Sequence, residues 1–257
     1  MKIIFIGTSS GETSRVRNHS SLLIESDNYN LLIDSGEGIS KALLNTGIAF
    51  DSIDAILLTH YHADHFAGLP SLLTQMKIHG RNRPLQIITH SNLIDTFENF
   101  LIASYLFKEK LGFELSILPF EFGVTKRLHE KISFMPKQNT HLAQSNLLKN
   151  YPAEIFVSSS LMLNLDSQKV FYTSDIGSAD DLFLFEDEKI DLMISECTHI
   201  DLDQIFKSFK KLNSSELLLM HFSDEMLKVL ETKINNLLPG EQAGIKICFD
   251  GMIKEIH

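Results

Sequence analysis

The stretch Thr59-His60-Tyr61-His62-Ala63-Asp64-His65 places three imidazoles and a carboxylate within six residues. These side-chain types bind borderline divalent cations. They follow directly on the apolar run 55–58, which reads as a buried strand. In extended chain the side chains repeat every two residues, so His60 and His62 project to one side. A helix beginning near Phe66 puts Asp64 and His65 in its first turn, facing elsewhere. The spacing therefore predicts one pair of ligands for each of two neighbouring cations. A solvated loop is the plainer reading of any lone histidine, and four ligands at one strand end argue against it.

Further donors stand in similar places. His141, Asp175 and His221 each follow a strand or a turn leading out of one: Asp175 closes the run 170–174 and His221 closes 217–220. A polar residue that terminates an apolar strand lies at one edge of a sheet, where sites form. Singly each is an ordinary strand-end residue, and the early cluster is what raises them to candidates.

The elements that must position these residues are legible as alternating groups. Candidate strands are 3–6, 21–25, 31–34, 55–59, 85–89, 114–118, 132–135, 155–159, 170–173, 192–195, 217–220 and 245–249. Helical spacing marks 66–78, 94–108, 202–212 and 225–238, with a shorter helix near 39–44. Two sheets packed face to face with helices on both outer sides account for this count. The 257 residues, 44% hydrophobic with 18 Phe, supply a core for one domain over 1–257.

Composition narrows the partners. With 23 Lys and Arg against 33 Asp and Glu, the formal charge is −10. Such a chain does not coat nucleic acid or anionic lipid through its overall field, although a bound cation reverses the sign in one cleft. Two cysteines, Cys197 and Cys248, build no disulfide framework. The opening apolar run is too short for a signal peptide, and no window approaches the roughly 20 apolar residues of a membrane span. The expectation is a soluble cytoplasmic protein with no membrane partner.

The order H-x-H-x-D-H, then a distant His, an Asp and a His, resembles that of the metallo-β-lactamase fold superfamily. Asp34 in Leu32-Ile33-Asp34-Ser35-Gly36 matches its first motif. The chain further resembles the ribonuclease Z branch at Gly7-Thr8, Arg17, Ser20-Ser21, Asp34 to Gly38, Gly68-Leu69-Pro70 and His221-Phe222-Ser223. The resemblance implies an α/β fold, an αββα four-layer sandwich of two mixed sheets flanked by helices. It implies two divalent cations, zinc first, with manganese or iron also suited to the donors. His60, His62 and His141 would hold one cation, Asp64, His65 and His221 the other, and Asp175 would bridge them. The implied chemistry is hydrolysis by a water acidified between the cations, oriented by Asp64. Homodimerisation is a further implication.

The chain also departs from that branch. The stretch between His141 and Asp175 is too short for the long tRNA-gripping arm, and the His-Glu-Ala-Thr run is here Ser195-Glu196-Cys197-Thr198. Glu196 stays as a candidate for proton transfer, with His199 as a possible substitute for the missing histidine. The metal chemistry is thus expected intact while the tRNA-specific parts are absent. The leading expectation is a phosphodiesterase acting on RNA or on a small cyclic or linear phosphodiester. The same donors also suit ester, lactone or sulfate-ester hydrolysis, or a metal-stabilised binding protein. His19, His79, His90, His129 and His257 lack ligand spacing and read as structural, as does Cys197.

Overall fold

In the computed structural model, residues 1–142 and 146–257 are described. The first six strands are β1 (Lys2–Gly7), β2 (Ser21–Glu25), β3 (Asn30–Ile33), β4 (Ala55–Leu57), β5 (Leu85–His90) and β6 (Leu115–Phe120). The next seven are β7 (Lys126–His129), β8 (Ile132–Gln138), β9 (Ser159–Leu165), β10 (Gln168–Tyr172), β11 (Leu192–Glu196), β12 (Glu216–Met220) and β13 (Ile245–Ile247), and β14 (Ile253–Glu255) closes the chain. They form two seven-stranded sheets, ordered β14-β1-β2-β3-β4-β5-β6 and β13-β12-β11-β10-β9-β8-β7.

Near-continuous apolar strands are what a sheet covered on both faces requires, and the period of two sorts their side chains into three cores. Ile3 and Phe5 of β1 face the space between the sheets, where they meet Leu161 and Leu163 of β9. Ile4 and Ile6 face outward onto the helices α1 (Ile39–Asn45), α3 (Leu69–Ile78) and α4 (Ile94–Ala103), while the one-turn α2 (Ala63–Phe66) contributes Phe66. On the second sheet, Leu218 and Met220 point inward. Leu217 and Leu219 point outward, toward α5 (Leu202–Leu212) and α6 (Met226–Asn235). A last short turn, α7 (Pro239–Gln242), precedes β13. Helix, sheet, sheet, helix is the expected four-layer order.

Three expected elements differ. The 66–78 helix is interrupted: Gly68 donates its N–H to the Ser35 carbonyl, and Pro70, with no donor of its own, opens α3 afresh. The 94–108 helix ends at Ala103, because Tyr105 turns left-handed at φ 58°. The strand expected over 155–159 is instead a single turn at Ala153–Ile155, and the true strand, β9, starts at Ser159. Its register comes from β8, which pairs Gln138 with Ser159 and Lys137 with Ser160. No helix among the described residues is long and apolar enough to cross a membrane.

Candidate metal centre

Parallel pairing joins β3 to β4, β4 to β5, β10 to β11 and β11 to β12, so these strands share a direction. The donors follow the C-terminal ends of the strands. His60 and His62 leave β4, with His62 the residue before α2 and Asp64 and His65 inside it. His141 follows β8, Asp175 follows β10, and His221 follows β12. Asp34, Ser174 and His221 all hold φ between 51° and 62°, a left-handed conformation that is sparsely populated by residues with a Cβ. Such backbone turns the chain sharply off each strand, and its clustering here marks a site that the surrounding packing holds in place.

The seven side chains converge. His62 Nδ1 lies 3.1 Å from His141 Nε2, and the rings of His60, His62 and His141 stand edge to face. On the other side, His221 Nε2 lies 3.2 Å from Asp64 Oδ2 and 3.4 Å from His65 Nε2. Asp175 stands between the groups with one oxygen for each. Its Oδ2 is 3.8 Å from His60 Nε2 and 3.7 Å from His141 Nε2. Its Oδ1 is 3.1 Å from both His65 Nε2 and His221 Nε2. The geometry thus separates two donor groups, His60, His62, His141, Asp175 and Asp64, His65, Asp175, His221, each within 4.8 Å.

These residues fit divalent cations on their own chemistry. His60 Nε2 and Asp175 Oδ1 are buried and make no hydrogen bond. Buried polar atoms left unbonded are costly, and these two stand among the other candidate ligand atoms, His60 Nε2 beside Asp175 Oδ2 and Asp175 Oδ1 beside the Nε2 atoms of His65 and His221. Asp34, fully buried, accepts from His65 Nδ1 at 2.8 Å and from the N–H and hydroxyl of Thr59. That fixes the His65 proton on Nδ1 and leaves Nε2 free as a ligand atom.

Electrostatics follow from burial and crowding. Burial drives His60 well below its usual range, and likewise brings His141 down to about 4. For His65 burial acts in the same sense, but Asp175 and Asp34 on either side outweigh it and raise the ring well above its ordinary value. Burial raises Asp34. For Asp64 and Asp175 burial is outweighed by the neighbouring imidazoles, which bring Asp64 to about 2 and Asp175 well below the carboxylate range.

Glu196 and His199 take different places. Glu196, 1% exposed, accepts the backbone N–H groups of Ile176, Thr198 and His199, and both of its oxygens lie 3.0 Å from His199 Nδ1. Its carboxylate is therefore satisfied, although it can group with His199 and His221 as a third donor set. His199 lines the cleft, its ring 4.7 Å from that of His141, and the Glu196 bond raises its pKa. The cleft encloses about 460 Å³ and is walled by Ser10, Gly11, Glu12, Ser223 and Met226. Arg17 packs its guanidinium over Phe222, beside His221. Cys197 is buried and its thiol pKa is pushed well up by burial, in keeping with a core role. Sequence reasoning passes over Asn139 and Asp181, which brace the His141 and Asp175 turns. The available signal is the Ser178-Ala179-Asp180-Asp181 spacing of a capping box.

Fold and donor set together define a class: proteins of the metallo-β-lactamase fold that carry clustered His and Asp donors. More narrowly, the chain belongs to the family of the anti-Pycsar protein Apyc1, whose model matches residues 1–238. The anti-Pycsar protein Apyc1 of Bacillus phage 010DV004 is 26% identical over 244 residues, covering 88% of this chain and 90% of that protein. Ribonuclease Z of Pseudomonas putida strain F1 is 39% identical over 123 residues, 47% of this chain. That match spans only 38% of the ribonuclease. Among solved structures, the metallo-β-lactamase fold protein YhfI of Bacillus subtilis superposes with a TM-score of 0.78 at 20% identity, covering 98% of each chain. The short form of human tRNase Z follows at 0.73 and 18% identity, covering all of both chains.

Proposed function

We propose that this chain, acting as one domain over residues 1–257, hydrolyses a small phosphodiester with two divalent cations, zinc first among them. The observation that carries the reading is Asp175, whose two oxygens each face a separate group of imidazoles. His60, His62 and His141 would hold one cation and Asp64, His65 and His221 the other. Such a pair acidifies a water and neutralises phosphoryl charge when bound.

The chain's own groups supply the rest. Asp64 Oδ2, at the cleft wall, is placed to accept a hydrogen bond from the attacking water and orient it. His199, with Nδ1 tied to Glu196, presents its other nitrogen toward the cleft. From there it can pass a proton to the oxygen that departs as the P–O bond breaks. Glu196 acts through His199 and is a positioning residue.

A small substrate is favoured over tRNA by what lines the cleft, which includes no Lys or Arg among the described residues and carries Glu12 at its wall. Three basic residues outside the cleft are engaged elsewhere. Arg81 is buried against the carbonyls of Arg83, Pro84 and Phe50, Arg83 pairs with Asp54, and Lys131 pairs with Asp166. A polyanion needs several cationic contacts along its backbone. The test is a panel of bis(p-nitrophenyl) phosphate, cyclic mononucleotides, a tRNA precursor, esters and lactones. Metal-dependent cleavage of small diesters, abolished in Asp64→Ala, is expected. Faster cleavage of the precursor, or of esters and lactones alone, would overturn the reading.

A further inference from the structure

We infer that Asp181 is a positioning residue that sets the gap between His141 and Asp175 and so governs the first cation group selectively. This rests on the two-cation reading above and concerns residues that the H-x-H-x-D-H pattern does not include.

Asp181 is 3% exposed and pairs with no Lys or Arg among the described residues. Its carboxylate is instead filled by donors from two separate turns. Gly177 N and Ser178 N, just past Asp175, donate to Oδ2 at 3.0 and 3.1 Å. Thr140, immediately before His141, donates its hydroxyl to Oδ2 at 2.7 Å, and its N–H lies 3.2 and 3.1 Å from the two oxygens. One buried anion therefore ties the backbone that delivers His141 to the backbone that delivers Asp175. Charge-assisted bonds of this kind are the strong ones, and the Thr140 hydroxyl, which also lies 3.2 Å from Ser178 Oγ, makes its shorter bond to Asp181.

Two further observations converge on the same junction. Asn139 accepts from His141 N at 3.1 Å, while its amide donates to the Asp175 carbonyl at 2.9 Å and to Ser160 Oγ at 3.0 Å. Gly177 lies so close to the His141 turn that a Cβ on it would fall 2.4 Å from the Thr140 carbonyl oxygen. The turns are in direct contact, and Asp181 is the charge that holds them there.

The second cation group is braced differently. Asp34 holds His65, and the Thr8 carbonyl accepts the backbone N–H of His221. Loss of the Asp181 clamp should therefore free His141 while leaving His65 and His221 in place. An Asn at 181 keeps the volume but turns an amide donor toward donors, which breaks the clamp without opening a cavity.

The experiment titrates metal-depleted wild type, Asp181→Asn and Thr140→Val with zinc against a competing chelator. Cobalt absorption reports the ligand field, and thermal unfolding is measured without metal. The wild type should take two equivalents. Asp181→Asn should bind one equivalent as the wild type does and the other about 10- to 100-fold more weakly, with an altered cobalt spectrum. Thr140→Val, which loses one hydroxyl donor, should shift the same equivalent by less, with metal-free unfolding unchanged. If Asp181→Asn does not fold, Thr140→Val decides alone. Two equivalents bound as in the wild type, or both weakened in parallel with a loss of metal-free stability, overturns the inference by itself. A wild type that takes fewer than two equivalents overturns the two-cation reading, and this inference with it.

Discussion

Gly36→Ala offers a stringent test of how the His65 side of the site is built. Gly36 follows the turn that Asp34 begins, and the segment is pressed against α2: Ser35 N donates to the His65 carbonyl at 2.7 Å and Gly68 N to the Ser35 carbonyl at 2.9 Å. A Cβ on Gly36 would fall 2.0 Å from the Asp64 carbonyl oxygen and 2.6 Å from its carbon. Ordinary contact begins at 3.4 Å, so the backbone that carries Asp64 and His65 must retreat by about 1.4 Å. The obstacles are the Asp64 backbone and the His19 Cβ at 2.8 Å, and no rotamer change relieves either. Overpacking of this kind costs about 1–3 kcal/mol of stability, and a displacement near 1 Å costs about 10²-fold in rate, or about 2.7 kcal/mol of transition-state stabilisation. The assay pairs zinc stoichiometry with kcat/KM on bis(p-nitrophenyl) phosphate at a temperature where circular dichroism shows the variant folded. The expectation is weakened binding of one zinc equivalent with at least a tenfold loss of kcat/KM. A folded variant with both equivalents bound as tightly as in the wild type and turnover within about twofold would refute the packing argument.

Other consequences follow from the same geometry. His199→Ala should lower turnover by about 10²–10⁴ on diesters with poor leaving groups, far less with p-nitrophenolate, and leave zinc content unchanged; equal loss on both substrate types counts against proton donation from His199. Chelation of the cations should lower the unfolding temperature, since ligands held only by the native state at 1,000 times their Kd each contribute about 4.1 kcal/mol, and calorimetry with and without chelator reads this directly. Glu216 answers a different question: burial opposes its ionisation, but Lys246 and Lys254 hold its pKa below the usual carboxylate range. A depressed folded-state pKa contributes stability above the unfolded value of about 4.3, and that stability is lost as pH falls through the folded one. Denaturant melts should therefore find Glu216→Gln less stable than wild type at pH 7, with the gap closing below about pH 4; a gap that persists at pH 2 would contradict it.

Much of the site was readable from residues alone because its densest part is local. His60, His62, Asp64 and His65 lie within one strand end and one helical turn, so backbone periodicity by itself splits them into two directions, as the structure also has them. The strands ending at Asp175 and His221 were readable for a related reason, since continuous apolar runs reveal sheets covered on both faces. Where side-chain pattern and partner disagree, the pattern loses. The expected strand ends at Ser159, where β9 begins, because β8 pairs with Ser159 and Ser160, and the apolar Ile155 sits in a turn after Pro152. The splitting of the 66–78 helix likewise depends on a bond from Gly68 to Ser35, distant in sequence. The folded chain alone decided that Asp175 turns one oxygen to each donor group, that Glu196 is spent on backbone donors behind His199, and that Asp181 joins two turns. Each of these includes a contact between segments well separated along the chain, such as Ile176 with Glu196 and Thr140 with Asp181, whose direction and distance are set by tertiary packing that no local periodicity encodes.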